Sequence, residues 1–87
     1  MRNLVSLSHR AEKFLAKLAD AALYRRLRAA IDALEHEARP AGWVKLTGLP
    51  DLYRIRVGHY RIIYQVKETE LVMLVLSIGH RREVYRR

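Results

Sequence analysis

Arg54, Arg56 and Arg61 are the residues of this 87-residue chain whose spacing asks for a chemical explanation. They lie in LYRIRVGHYRIIYQ, Leu52 to Gln65, which alternates as a strand, turns at Gly58–His59 and alternates again. Two residues between strands, glycine first, suit a type II′ turn. That turn sets Val57 opposite Tyr60, Arg56 opposite Arg61 and Arg54 opposite Ile63. The other face then pairs Ile55 with Ile62 and Tyr53 with Tyr64 and forms the core side. Like charges directly opposite in an antiparallel pair destabilise it. A face built to receive an anion explains their retention; the plainer alternative is long side chains splayed into water at little cost.

The chain brings more cations to the same place. Leu71 to Ile78 is apolar on both sides, so it reads as a central strand covered on two faces, ended by Gly79. Running antiparallel to Tyr60–Val66, it returns toward the turn and delivers His80, Arg81 and Arg82 to the edge carrying Arg56 and Arg61. Tyr85 follows Arg81 by four residues and shares its side on a helical turn. Arg86 continues the basic tail, His80 to Arg87, which has four arginines against Glu83. Cationic groups for phosphate and an aromatic ring that stacks on a base fit RNA.

Composition agrees. Seventeen Lys and Arg against nine Asp and Glu give a net charge of +8, which favours polyanionic partners. The hydrophobic fraction of 51% supports one small core and a single domain, residues 1–87. Cysteine is absent, and His9, His36, His59 and His80 show no metal-ligand spacing, so neither metal nor cofactor is expected. Gly42, Gly48, Gly58 and Gly79 are scattered turn positions rather than a phosphate loop. Trp43 reads as a packing residue. The longest apolar run, Leu71 to Leu76, is too short to span a bilayer and no leader pattern opens the chain, so a soluble cytoplasmic protein is expected.

The elements that must position these residues follow from periodicity. Asn3 to Leu7 reads as a strand. Ser8 caps a helix to about Ala19, with Ala11, Phe14, Leu15 and Leu18 at helical spacing. Asp20 caps a second helix that carries Leu23, Leu27, Ala30, Ile31 and Leu34 and ends before Pro40. Trp43 to Leu46 reads as a short strand ahead of the hairpin. The expected fold is α+β: an N-terminal strand and helical hairpin packed on a twisted, mainly antiparallel sheet of about four strands, with a short basic C-terminal helix or tail.

LSHRAEKFLAKL, KLTGLPDLYRIRVGHYRIIYQV and LSIGHRREVYRR resemble the RelE branch of the RelE/ParE toxin superfamily over nearly the whole chain. The resemblance implies a toxin encoded beside an antitoxin, acting as a metal-independent, ribosome-dependent endoribonuclease on mRNA in the decoding site. It places a basic strand pair on Arg54 and Arg56, the YR-x-x-Y arginine on Arg61, the arginine after the last strand on Arg81 and the terminal tyrosine on Tyr85. Lys45, in VKLTG, matches a position near the RNA path, and Arg82 and Arg86 extend the basic tail. The implied reaction is attack of a 2′-OH on the adjacent phosphate, with positioning and cationic stabilisation as the main contributions. Some relatives have lysines where this chain has Arg54 and Arg56. Arginine stays protonated and is a poor general base, so either the arginines only position and stabilise, or a histidine helps: His59 at the turn or, as the better candidate, His80 beside Arg81 as acid or base. Expected partners are the antitoxin, the ribosome and mRNA, with promoter DNA met only through the antitoxin. A ParE-like gyrase-binding toxin and a non-catalytic ribosome- or nucleic-acid-binding module are the alternatives.

Overall fold

The structure, a computed structural model, describes residues 3–48, 50–67 and 72–80. Its elements are β1 (Leu4–Leu7), α1 (His9–Lys17), α2 (Ala21–Ala33), β2 (Val44–Lys45), β3 (Leu52–Val57), β4 (Tyr60–Lys67) and β5 (Val72–His80). The strands form one sheet in the order β1-β5-β4-β3-β2. Every pairing is antiparallel except β1 with β5. The fold is the expected α+β arrangement with five strands rather than four.

One face of the sheet is the core. Ala11 and Leu15 of α1 and Leu27 and Ile31 of α2 cluster with Tyr53, Ile55, Ile62, Tyr64, Met73, Val75 and Ile78. Both helices therefore lie on the same side, and the opposite face is left to the arginines.

The helices start where the sequence places their caps. Ser8 Oγ accepts from the Ala11 amide at 3.1 Å, and Asp20 Oδ1 accepts from the Leu23 amide at 3.0 Å. Their ends differ from expectation. α1 stops at Lys17, because the link through Leu18 to Asp20 must be extended before the second cap can form. α2 stops at Ala33, well ahead of Pro40. Asn3 occupies the carbonyls beyond it: its amide donates to Glu35 O at 2.7 Å and its Nδ2 to Leu34 O at 3.0 Å. Helix-end carbonyls need partners, and here the N-terminal segment supplies them.

The last strand departs most from the simple pattern. Ile63 pairs with Ser77 but Tyr64 pairs with Val75, so Leu76 is an extra residue, a β-bulge. Val75 and Ile78 are both buried on the core side although three residues apart. Gly79 does not end the strand; it pairs with Arg61, and His80 pairs with Tyr60. Nor is β5 covered equally on two faces: Met73 and Val75 are buried while Val72, Leu74 and Leu76 are only half-buried. Ser8 secures the bulge, donating its hydroxyl to Leu76 O at 2.6 Å while its amide donates to Val75 O at 2.8 Å.

A second anchor is aromatic. Tyr53 and Tyr64, directly opposite on β3 and β4, stack with centroids 5.8 Å apart, and the Tyr64 hydroxyl donates to Ala38 O at 2.8 Å. Burial, with a smaller contribution from Tyr53, raises the Tyr64 pKa to about 12.

Two stability predictions follow from these contacts. Ser8→Ala removes a cap and the hydroxyl at the bulge, which should cost about 1–2 kcal/mol and lower Tm by about 5–10 °C in thermal unfolding; an unchanged Tm would contradict the assignment. Tyr64 is held neutral in the folded state. Its contribution is fully present below pH 10 and is lost as pH rises through about 12. Denaturant titrations should therefore show wild type losing about 2–3 kcal/mol relative to Tyr64→Phe between pH 10 and 12; parallel pH profiles would refute it.

Candidate nucleic-acid interface

The hairpin has the expected register: Val57 pairs with Tyr60, Arg56 with Arg61 and Arg54 with Ile63. Gly58 has φ +61 and His59 is not in the positive-φ region, the pattern that distinguishes a II′ turn from I′. In such a hairpin the pair next to the closing pair is the closer, non-hydrogen-bonded kind, with Cα atoms about 4.5 Å apart. Arg56 and Arg61 hold that position. The helical layer comes close to the turn: a Cβ at Gly58 would sit 3.2 Å from Arg26 Nη2.

The arginines differ in setting. Arg56 is exposed, Arg54 half-buried and Arg61 only 9% exposed. Arg54 Nε is shielded from solvent without a hydrogen-bond partner among the described residues. Ile63 is 7% exposed although it lies on this face, outside the main core cluster. Arginine stems commonly lie along apolar surface and leave the guanidinium accessible, and Ile63 supplies such surface between the charged positions.

What surrounds the arginines favours an anion. Across β4 from Arg56, the neighbour of Arg61 is Gly79, which adds no side chain to the face. Arg61 thus has an arginine as its neighbour on one strand and a glycine on the other, and both Arg61 and Gly79 are buried. No carboxylate occupies a described strand position on this face. Arginine forks of this kind suit a phosphate, which they meet through charge-assisted hydrogen bonds.

Two expected site residues lie elsewhere. His80 pairs with Tyr60, whose ring packs against Phe14 of α1 at 6.0 Å, so it is on the helix side. Its ring stands 6.3 Å from that of His59 and edge-on to Tyr60 at 5.7 Å. The bulge is the reason: without the extra residue at Leu76, alternation would have set His80 among the arginines. Lys45 pairs with Tyr53, a core-side residue, while its neighbour Val44 pairs with Arg54. Lys45 is exposed at the sheet edge but across the sheet from the arginine group. Arg81, Arg82, Tyr85 and Arg86 lie outside the described residues.

Sequence reasoning missed two features of the site. Gly79 as the cross-strand partner of Arg61 required knowledge of the bulge. The burial of Ile63 could have been suspected from YRIIYQ, where adjacent isoleucines must face opposite sides of one strand.

Comparison with known proteins gives this geometry a family. Residues 5–85 match the family model of the ParE toxin of type II toxin–antitoxin systems, parDE. The mRNA interferase toxin RelE of Escherichia coli is 44% identical over 45 residues, 47% of either protein, so the chain spans about half the length of the curated relative it matches. The archaeal RelE of a RelE–RelB complex from Pyrococcus horikoshii superposes with a TM-score of 0.81 at 36% identity, covering 93% of this chain and 97% of that one. A mutant of the E. coli toxin RelE in the free state gives 0.78 at 30% identity over 98% and 92%. The intact E. coli RelBE toxin–antitoxin complex gives 0.76 at 30% identity over 90% and 95%. With a family match across nearly its full length and RelE structures superposing on the same sheet and helices, this chain belongs to the ParE toxin family of type II toxin–antitoxin systems, as a RelE-like member of the RelE/ParE superfamily.

Proposed function

We propose that this protein is the toxin of a type II toxin–antitoxin pair and a metal-independent endoribonuclease that cuts mRNA in the decoding site of the ribosome. The observation that carries the reading is the cross-strand pair Arg56–Arg61, with Arg54 one pair further along β3. The curated relative named an mRNA interferase supports it.

In this reaction the ribose 2′-OH attacks the adjacent phosphorus in line and the 5′-oxygen of the next nucleotide leaves. The products are a 2′,3′-cyclic phosphate and a 5′-OH. Arg61 and Arg56 hold the non-bridging oxygens and offset the charge that builds on them; Arg54 holds the neighbouring phosphate. Fixed cations in a partly dehydrated setting need little reorganisation as the transition state forms. A guanidinium donates hydrogen bonds and accepts none, so the same arginines cannot take the 2′-OH proton. Arg81 and Tyr85 enter through the family resemblance, Arg81 on the scissile phosphate and Tyr85 stacked on or orienting the nucleotide; Arg82 and Arg86 extend the basic surface. His80 fits acid–base catalysis poorly from the helix side of the sheet. The ribosome orients the mRNA backbone for a face that holds phosphate but shows no base among the described residues.

The relatives solved as RelE–RelB complexes support an antitoxin as the natural partner, covering this basic surface. Promoter DNA would be met only through that complex. Among the described residues no helix is long and apolar enough to cross a membrane; ribosomal action places the protein in the cytoplasm.

The test is a purified translation system with mRNA 5′ ends mapped on stalled ribosomes. Wild type should cut in codon register. Arg61→Ala and Arg56→Ala should each lower the single-turnover rate by about 10²–10³-fold. Intact mRNA with gyrase-dependent DNA breaks would instead support a ParE-like toxin, and binding without cleavage a non-catalytic module.

A further inference from the structure

We infer that Trp43 is a nucleobase-stacking platform, with Tyr53 as its backing and Lys45 as its phosphate contact, one step along the RNA from the arginine face. The inference rests on the proposed reading and adds a subsite to it. Trp43 packs against Tyr53 with ring centroids 5.4 Å apart, yet 39% of it stays exposed. Its backing is firm: Tyr53 is 5% exposed, stacks on Tyr64 at 5.8 Å, and accepts from Arg39 Nη2 at 3.0 Å through its hydroxyl. The Arg39 guanidinium lies 5.8 Å from the Trp43 ring centroid and 5.2 Å from that of Tyr53, so a cation flanks the aromatic pair.

The strand geometry connects this cluster to the arginines. Trp43 immediately precedes β2, the terminal strand of the sheet. Lys45, two residues on, shares its side and lies about 7 Å away. Val44 between them faces the other way, opposite Arg54, and is 41% exposed. A polynucleotide crossing this edge would leave Arg54, pass Val44 and meet Lys45 and Trp43. Lys45 and Arg54 set positive charge along that path, which favours RNA over an acidic peptide, since a ring beside phosphate-binding cations is the standard single-strand site. It also gives Lys45 a place in RNA binding from across the sheet.

Trp43 is the chain's one tryptophan, so emission reports on it alone. Titration of the full chain with fluorescently labelled oligoadenylate at low salt should quench that emission saturably. Heparin should bind without comparable quenching, because it has no base to stack. Trp43→Ala should weaken oligoadenylate binding, read by anisotropy, about 5- to 100-fold, and Trp43→Phe should stay within a few-fold of wild type. Lys45→Ala should flatten the salt dependence by about one phosphate contact. Binding with unchanged emission, wild-type affinity in Trp43→Ala, or no binding by wild type would each overturn the inference. Cleavage on ribosomes that persists beside unchanged emission defeats the platform alone. Quenching by RNA without any cleavage supports the platform and defeats the nuclease reading alone.

Discussion

The bond from Ser8 Oγ to Leu76 O secures the irregularity on which the layout of the sheet depends. Side chains alternate along a strand, so one extra residue moves everything beyond it to the opposite face. With Leu76 inserted, Ile78 enters the core, Gly79 comes beside Arg61 and His80 turns toward Tyr60. A regular strand would place Ser77 and Gly79 in the core and a histidine ring among the arginines. The same hydroxyl caps α1. One side chain thus links the start of the helical layer to the strand that completes the candidate site.

The arginine face is a local electrostatic cost that the rest of the fold sustains. Arg56 and Arg61 are directly opposed, and an 87-residue domain has little stability to spare. The opposite side of the hairpin supplies the compensation, with Ile55, Ile62, Tyr53 and Tyr64 all in the core cluster. The Arg26 guanidinium of α2 lies close against the Gly58 turn, so the helical layer reaches that end of the hairpin too. A bound phosphate would turn mutual repulsion into shared attraction, so stability and affinity are coupled at this face.

Much of this was legible in the sequence because it is local. The II′ turn fixed the register of β3 and β4 through a count of residues, and Ser8 and Asp20 announced both helix starts. The features that were not legible depend on contacts distant in sequence. The parallel pairing of β1 with β5 joins residues 68 positions apart, and the early end of α2 depends on Asn3. The helix-side position of His80 follows from a bulge that no composition cue at Leu76 signals. Lys45 was expected on the RNA path by resemblance, and only the β2–β3 register shows which side of the sheet it takes.

If the arginine face holds a phosphate under attack from its own ribose, mRNA that carries one 2′-deoxynucleotide at the position cut in the decoding site will not be cleaved there. Its all-ribose counterpart will give 2′,3′-cyclic phosphate and 5′-OH ends. Cleavage of the deoxy-substituted message at the same bond would contradict this mechanism.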